Sequence, residues 1–123
     1  MKIKESAENY LEAIYILKQK NGYVRGIDIA NYLNFTKPSV SVAMKAFREE
    51  GYVTVDPDGG ISLTKKGVLI AKSMYERHNV LAKALMALGV SEETAYEDSC
   101  KIEHHISAES FEKIKDYLEK SNK

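Results

Sequence analysis

The sequence predicts a mostly α-helical fold with one short β-hairpin between an earlier and a later group of helices. Three observations carry this. Apolar residues recur three and four apart through most of the chain, the spacing of helices that bury one face. One stretch alternates instead: Tyr52–Val55 and Ile61–Leu63 flank Asp56-Pro-Asp-Gly-Gly60, which reads as a hairpin. Asn21-Gly22, Asn34-Phe35, Gly51 and Gly89 cut the helical pattern into separate segments.

From Ser6 to Lys20, Tyr10, Leu11, Ile14, Tyr15 and Leu17 mark a first helix, with Ser6 as its expected cap. Asn9 and Glu12 lie three apart near its start and read by default as solvated. Ile27–Leu33 follows as a short helix with Ile27, Ala30 and Leu33 apolar. Thr36 can then cap a third helix running to Glu50, with Pro38 in the first turn, where its missing N–H costs nothing. Val40, Ala43, Met44 and Phe47 form its buried stripe, and Lys37, Ser39, Ser41, Val42, Lys45 and Arg48 fall largely outside it.

Two short helices joined by a tight turn, the second opening on small hydroxyl residues, form a helix-turn-helix arrangement. Small side chains there admit close approach to base edges, and lysines meet phosphates. The hairpin directly after the third helix gives the winged-helix order. Contact with double-stranded DNA is therefore expected from Thr36, Lys37, Pro38, Ser39, Ser41, Val42 and Lys45, and from Asp58 and Gly59 at the wing tip.

Thr64-Lys-Lys-Gly-Val68 leads into a long helix through about Leu88, striped by Ile70, Met74, Arg77/His78, Leu81, Leu85 and Leu88. His78, alone beside that stripe, reads first as a satisfied core group. Ser91 caps the next helix, whose Pro- and Gly-free run extends from Glu92 to Ile106. Within it, Cys100, Glu103 and His104 share a face, with His105 turned away. Sulfur, oxygen and nitrogen donors from one helical turn can hold a divalent ion completed from other segments. A solvated polar face containing a cysteine accounts for the stretch equally well. Ser107 caps a last helix to Lys120, apolar at Phe111, Ile114, Tyr117 and Leu118, leaving Ser121-Asn-Lys123 as a loose tail. Successive amphipathic helices in so short a chain offer more apolar face than it covers alone, which points to a homodimer.

Composition sets the bounds. At 44% hydrophobic and 29% charged, the 123 residues suit a globular protein of one domain or two small ones. No apolar run approaches the roughly 20 residues that span a bilayer, and Met1–Ser6 lacks the apolar core of a signal peptide. With one cysteine no internal disulfide forms, so the expected compartment is the cytoplasm, without membrane partners. Net charge is zero but unevenly spread. Residues 1–72 hold 11 Lys and Arg against 8 Asp and Glu, and residues 73–123 hold 7 against 10. A mildly basic front and an acidic back suit an anion reader joined to a cation-binding half.

Glu8-Asn-Tyr-Leu-Glu-Ala-Ile-Tyr15, Asp28-Ile-Ala30, Pro38-Ser-Val-Ser41, Leu63-Thr-Lys-Lys-Gly67, Arg77-His78 and Ile102-Glu-His-His105 occur in a specific order and spacing. On these motifs the chain resembles the diphtheria-toxin-repressor family of metal-dependent bacterial repressors over essentially its whole length. The resemblance implies a winged-helix DNA-binding domain at 1–72 and a helical metal-binding and dimerisation domain at 73–123. It implies metal ligands at Asn9, Glu12, His78, Cys100, Glu103 and His104, turning Asn9, Glu12 and His78 from their default readings. Cys100 looks like the iron-responsive branch and Glu12 like the manganese-responsive one. Ala82 and Tyr96 stand where the iron branch carries an ancillary site, and neither is a good ligand. The β-barrel domain of longer relatives is expected to be absent.

A thiolate with imidazole and carboxylates favours Fe(II), Co(II), Ni(II) or Zn(II) over Mn(II). Availability puts Fe(II) first and Mn(II) second, with Zn(II), Co(II) or Ni(II) as substitutes in vitro. The implied function is a metal-dependent repressor binding a palindromic operator as a dimer. The competing reading is a metal-independent winged-helix regulator with Cys100 as a redox switch. An enzyme using Cys100 and His104 is disfavoured, because the two share one exposed turn with no evident oxyanion donors.

Overall fold

The structure, a computed structural model, describes residues 5–121. It contains α1 (Glu5–Asn21), α2 (Gly26–Leu33), α3 (Lys37–Glu49), β1 (Val53–Val55), β2 (Ile61–Leu63), α4 (Lys65–Ala87), α5 (Glu92–Ile102) and α6 (Ala108–Ser121). The chain divides into two compact units, Met1–Lys72 and Ser73–Lys123. None of the helices among the described residues is long and apolar enough to cross a membrane.

The first unit is built on a shared apolar core. Leu11, Ile14, Val24, Ile29, Val40 and Val53 are its innermost members, with at most 2% of their surface exposed. Tyr10 stacks on Phe35 and Phe47, and Phe47 on Tyr52, tying α1, α3 and the hairpin entry through edge and tilted ring contacts. The helix boundaries follow local chemistry. Gly22 (φ 75°) ends α1, and Asn34 takes the left-handed conformation (φ 59°) that closes α2. Thr36 caps α3, its Oγ1 accepting from the Ser39 amide at 3.3 Å. The two strands pair antiparallel, Val53 opposite Leu63 and Val55 opposite Ile61.

Thr64 anchors the step from hairpin to α4. Its hydroxyl donates to the Gly51 carbonyl at 2.6 Å and accepts from the Gly67 amide at 3.2 Å. Residue 67 must be glycine, since a Cβ there would collide with the Tyr52 carbonyl oxygen. In the second unit Ser91 caps α5 and Ser107 caps α6, accepting from the amides of Thr94 and Ser110.

Several sequence expectations need correction. Ser6 lies inside α1 and is not its cap. In α2 Ile29 is buried whereas Ile27 is 41% exposed, because Ile29 and Ala30 face the core. Tyr52 precedes β1, its amide bonded back to the Phe47 carbonyl. Leu88 lies past the end of α4 and is 82% exposed. Ser121 belongs to α6, its hydroxyl donating to the Tyr117 carbonyl, while Asn122 and Lys123 of the expected tail lie outside the described residues. Most consequentially, α5 stops at Ile102 rather than continuing to Ile106.

Candidate functional site

The end of α5 is set from outside the helix. The Arg77 guanidinium, packed over the Phe111 ring, donates through Nη1 to the carbonyl oxygens of Glu103 (3.1 Å) and Ile106 (2.9 Å). Those carbonyls would otherwise lack partners at a helix C-terminus. The chain tightens there: the His105 amide bonds to Ile102 rather than to the residue four before it. Cys100 is thus on the last turn of α5, with Glu103 and His104 just beyond it.

This turn gathers donors. Ligand atoms of His78, Cys100 and Glu103 lie within 4.8 Å of one another. The Glu103 side chain is fully buried. Its Oε2 is 3.0 Å from His78 Nδ1, and Nδ1 is also 3.0 Å from the Ser99 hydroxyl. Ser99 spends its single proton on the Tyr96 carbonyl at 3.0 Å. With both neighbours accepting, Nδ1 of a neutral His78 carries the proton.

The other carboxylate oxygen is unsatisfied. Glu103 Oε1 is buried and accepts no hydrogen bond among the described residues. His104 Nε2 stands 3.4 Å away, near enough for charge attraction but not aligned as a hydrogen bond. An anionic oxygen buried without a donor costs several kcal/mol, roughly, unless a positive charge meets it. A donor set of thiolate, imidazoles and a buried carboxylate fits a divalent cation.

Asn9 and Glu12 belong to the first unit, where they share a face of α1, Glu12 buried and Asn9 half-buried. His105 is exposed. At the expected ancillary positions Ala82 is fully buried, and the Tyr96 ring lies 5.4 Å from that of His78. Sequence reasoning missed Ser99 as a partner of His78. The available signal was its spacing, since Ala95, Ser99 and Glu103 sit four apart on one buried face.

In the first unit Thr36, Lys37, Pro38, Ser39, Ser41, Val42 and Lys45 are all exposed, Thr36 as the cap of α3 and the others along it. Val42 is 71% exposed. Gly26, Ser41, Lys45, Arg48, Val55 and Ile61 line a cleft between α3 and the hairpin, with two cations among them. At the hairpin tip Gly59 turns at φ 90°, and Asp58 accepts a hydrogen bond from the Tyr23 hydroxyl at 3.0 Å.

Comparison with known proteins adds independent findings. Residues 2–61 match the family model described as iron dependent repressor, N-terminal DNA binding domain. Residues 64–123 match iron dependent repressor, metal binding and dimerisation domain. The HTH-type transcriptional regulator MntR of Lysinibacillus sphaericus is 36% identical over 114 residues, 93% of this chain and 82% of that protein. An uncharacterized HTH-type regulator of Methanocaldococcus jannaschii is 37% identical over 120 residues, 96% of each chain. Among solved structures, the manganese regulator SloR superposes with a TM-score of 0.80 at 29% identity, over 97% of this chain and 55% of that one. IdeR of T. acidophilum gives 0.80 at 24% identity, 96% and 55%, a likeness of fold.

Proposed function

Because the chain belongs to the diphtheria-toxin-repressor family of metal-dependent transcriptional regulators, we propose that it binds a palindromic DNA operator as a homodimer once a divalent metal is bound, Fe(II) first and Mn(II) second. The observation that carries the metal half is the buried Glu103 carboxylate, whose Oε1 has no hydrogen-bond donor among the described residues. His78, Cys100, Glu103 and His104 would hold the ion, with Glu12 and Asn9 completing its shell. Bound there, the cation supplies the positive charge that this carboxylate needs.

The chain's own groups define the preference. Cys100 contributes sulfur, which with imidazole and carboxylate favours Fe(II), Co(II), Ni(II) or Zn(II) over Mn(II). Glu12 and Glu103 supply the hard oxygens that keep Mn(II) second, and SloR, of like fold, is described as a manganese regulator. Ser99 and Glu103 orient the His78 ring through its Nδ1. On the DNA side Ser39, Ser41 and Val42 would face base edges and Lys37 and Lys45 phosphates. In a dimer the two α3 helices would meet major grooves about 34 Å apart. Coupling of ~1–3 kcal/mol between the two events would change operator affinity about 5–150-fold.

The test is anaerobic DNA binding against free Fe(II) or Mn(II), using a duplex selected from a palindromic library. Both ions should raise affinity and a chelator should reverse it. Cys100→Glu should respond at lower Mn(II) than the parent, since hard oxygen replaces soft sulfur. Equal affinity with either metal and after chelation would sink the proposal. Affinity following peroxide instead would replace it with the Cys100 thiol switch.

A further inference from the structure

The hairpin presents a charge problem for any DNA-binding role. From Tyr52 to Thr64 it carries Asp56 and Asp58 and no Lys or Arg. Carboxylates repel phosphate, so this wing cannot approach a duplex backbone on its own charge. The structure brings a cation to it from another segment. Tyr23, between α1 and α2, donates its hydroxyl to Asp58 Oδ2 at 3.0 Å, and the Arg25 guanidinium lies over the same ring, 5.4 Å from its centroid. The ring lies against Gly60, where a Cβ would come within 2.8 Å of it and displace it. The Ile61 amide bonds the Val24 carbonyl at 2.7 Å, fastening this segment along β2.

Arg25 is also fixed from behind. It is the N-cap of α2 in extended backbone, and its amide donates to Asp28 Oδ2 at 2.9 Å. Its side chain is exposed. The next residue, Gly26, lines the cleft shared by Ser41, Lys45 and Arg48 of α3. A guanidinium on an aromatic face, with a carboxylate at the ring's far end, is held in place while its remaining N–H groups stay available.

We propose that Arg25 is the phosphate-binding cation of the wing, and that Tyr23 and Asp58 are positioning residues that hold it there. This rests on the reading of the first unit as DNA-binding. Asp58, expected from sequence to contact DNA, acts instead through Arg25.

The test compares the Mn(II)-loaded full chain and its variants on two probes, the selected palindromic duplex and a scrambled one, across a salt series. Arg25→Ala should weaken binding to both by about three- to tenfold and lower the salt slope by about one, the loss of one phosphate contact. Arg25→Lys should keep the slope and lose part of the affinity, which separates charge from folding. The decisive variant is Asp58→Ala. On charge alone, removing a carboxylate from the wing tightens binding; if Asp58 positions Arg25, the same change weakens the parent about two- to threefold and tightens only the Arg25→Ala background. Tyr23→Phe, which changes no charge, should weaken the parent in the same way as Asp58→Ala. Tightening by Asp58→Ala in both backgrounds, or an unchanged slope for Arg25→Ala, overturns the inference while leaving the DNA reading intact. A parent that binds neither duplex sinks both.

Discussion

The two units differ in how completely their own side chains finish them. The first encloses an apolar core with aromatic contacts running through Tyr10, Phe35, Phe47 and Tyr52, and Glu12 is its one buried charge among the described residues. The second buries Ser99 and Glu103 completely, while exposed apolar side chains occur in both units, Leu88 and Tyr117 here as Val42 and Leu69 in the first. Leu81, Leu85, Leu88, Ile106, Tyr117 and Leu118 line a single open groove there. One unit is stabilised chiefly by burial. The other carries a buried carboxylate oxygen that lacks a donor among the described residues and an open apolar groove; the cation proposed above would answer the first.

Mutation should expose this asymmetry. The largest effect belongs to the first unit, where Leu11 is fully buried within the shared apolar core. Leu11→Ala should cost about 2–5 kcal/mol through lost transfer energy and the cavity left behind. Denaturant melts would show a lower midpoint with or without metal. A cost under about 1 kcal/mol would mean that this core is loosely packed.

Glu103→Gln should do the reverse in the second unit. The amide keeps the shape and removes a buried charge, so the chelator-treated variant should be as stable as the parent or more so. What it should lose is stabilisation by metal, which for the parent reaches about 2.7 kcal/mol at a free ion concentration 100 times Kd. Thermal melts in chelator and in Mn(II) measure both at once. A variant destabilised in chelator, yet still stabilised by metal, would show that Glu103 is structural and not a ligand.

The same contrast explains what the sequence revealed. Elements governed by local chemistry were legible: the Thr36 cap with Pro38 behind it, the Ser91 and Ser107 caps, and the Asp-Pro-Asp-Gly-Gly turn between alternating strands. The end of α5 was not, because Arg77 captures the carbonyls of Glu103 and Ile106 from a distant helix, and no pattern within residues 92–106 announces it. Ile27 and Ile29 are both apolar in a short helix, and only packing decides that Ile29 is inside. At the candidate site, donor types and spacing were readable in Cys100–His104. The Ser99 contact to His78, the burial of Glu103 and the Tyr23–Asp58 bond depend on residues far apart in sequence.

The smallest predicted effects separate base reading from folding at the start of α3. Thr36 and Ser39 are hydrogen-bonded to each other, the Thr36 hydroxyl donating to Ser39 Oγ at 2.8 Å while the Ser39 amide donates to Thr36 Oγ1. Thr36→Ala removes the cap and should cost about 1 kcal/mol of stability. Ser39→Ala keeps the amide bond to Thr36 and loses only an exposed hydroxyl contact, so stability should move by less than about 0.5 kcal/mol. On DNA the ranking should invert. A hydroxyl at a base edge carries sequence information, so Ser39→Ala should relax base preference at one position of each half-site, whereas Thr36→Ala should leave the preferred sequence unchanged. Selection from a randomised half-site library, beside thermal melts of both variants, reads the two effects separately. An unaltered base preference for Ser39→Ala would move sequence reading away from this turn, toward Ser41 and Val42 one turn face along the helix.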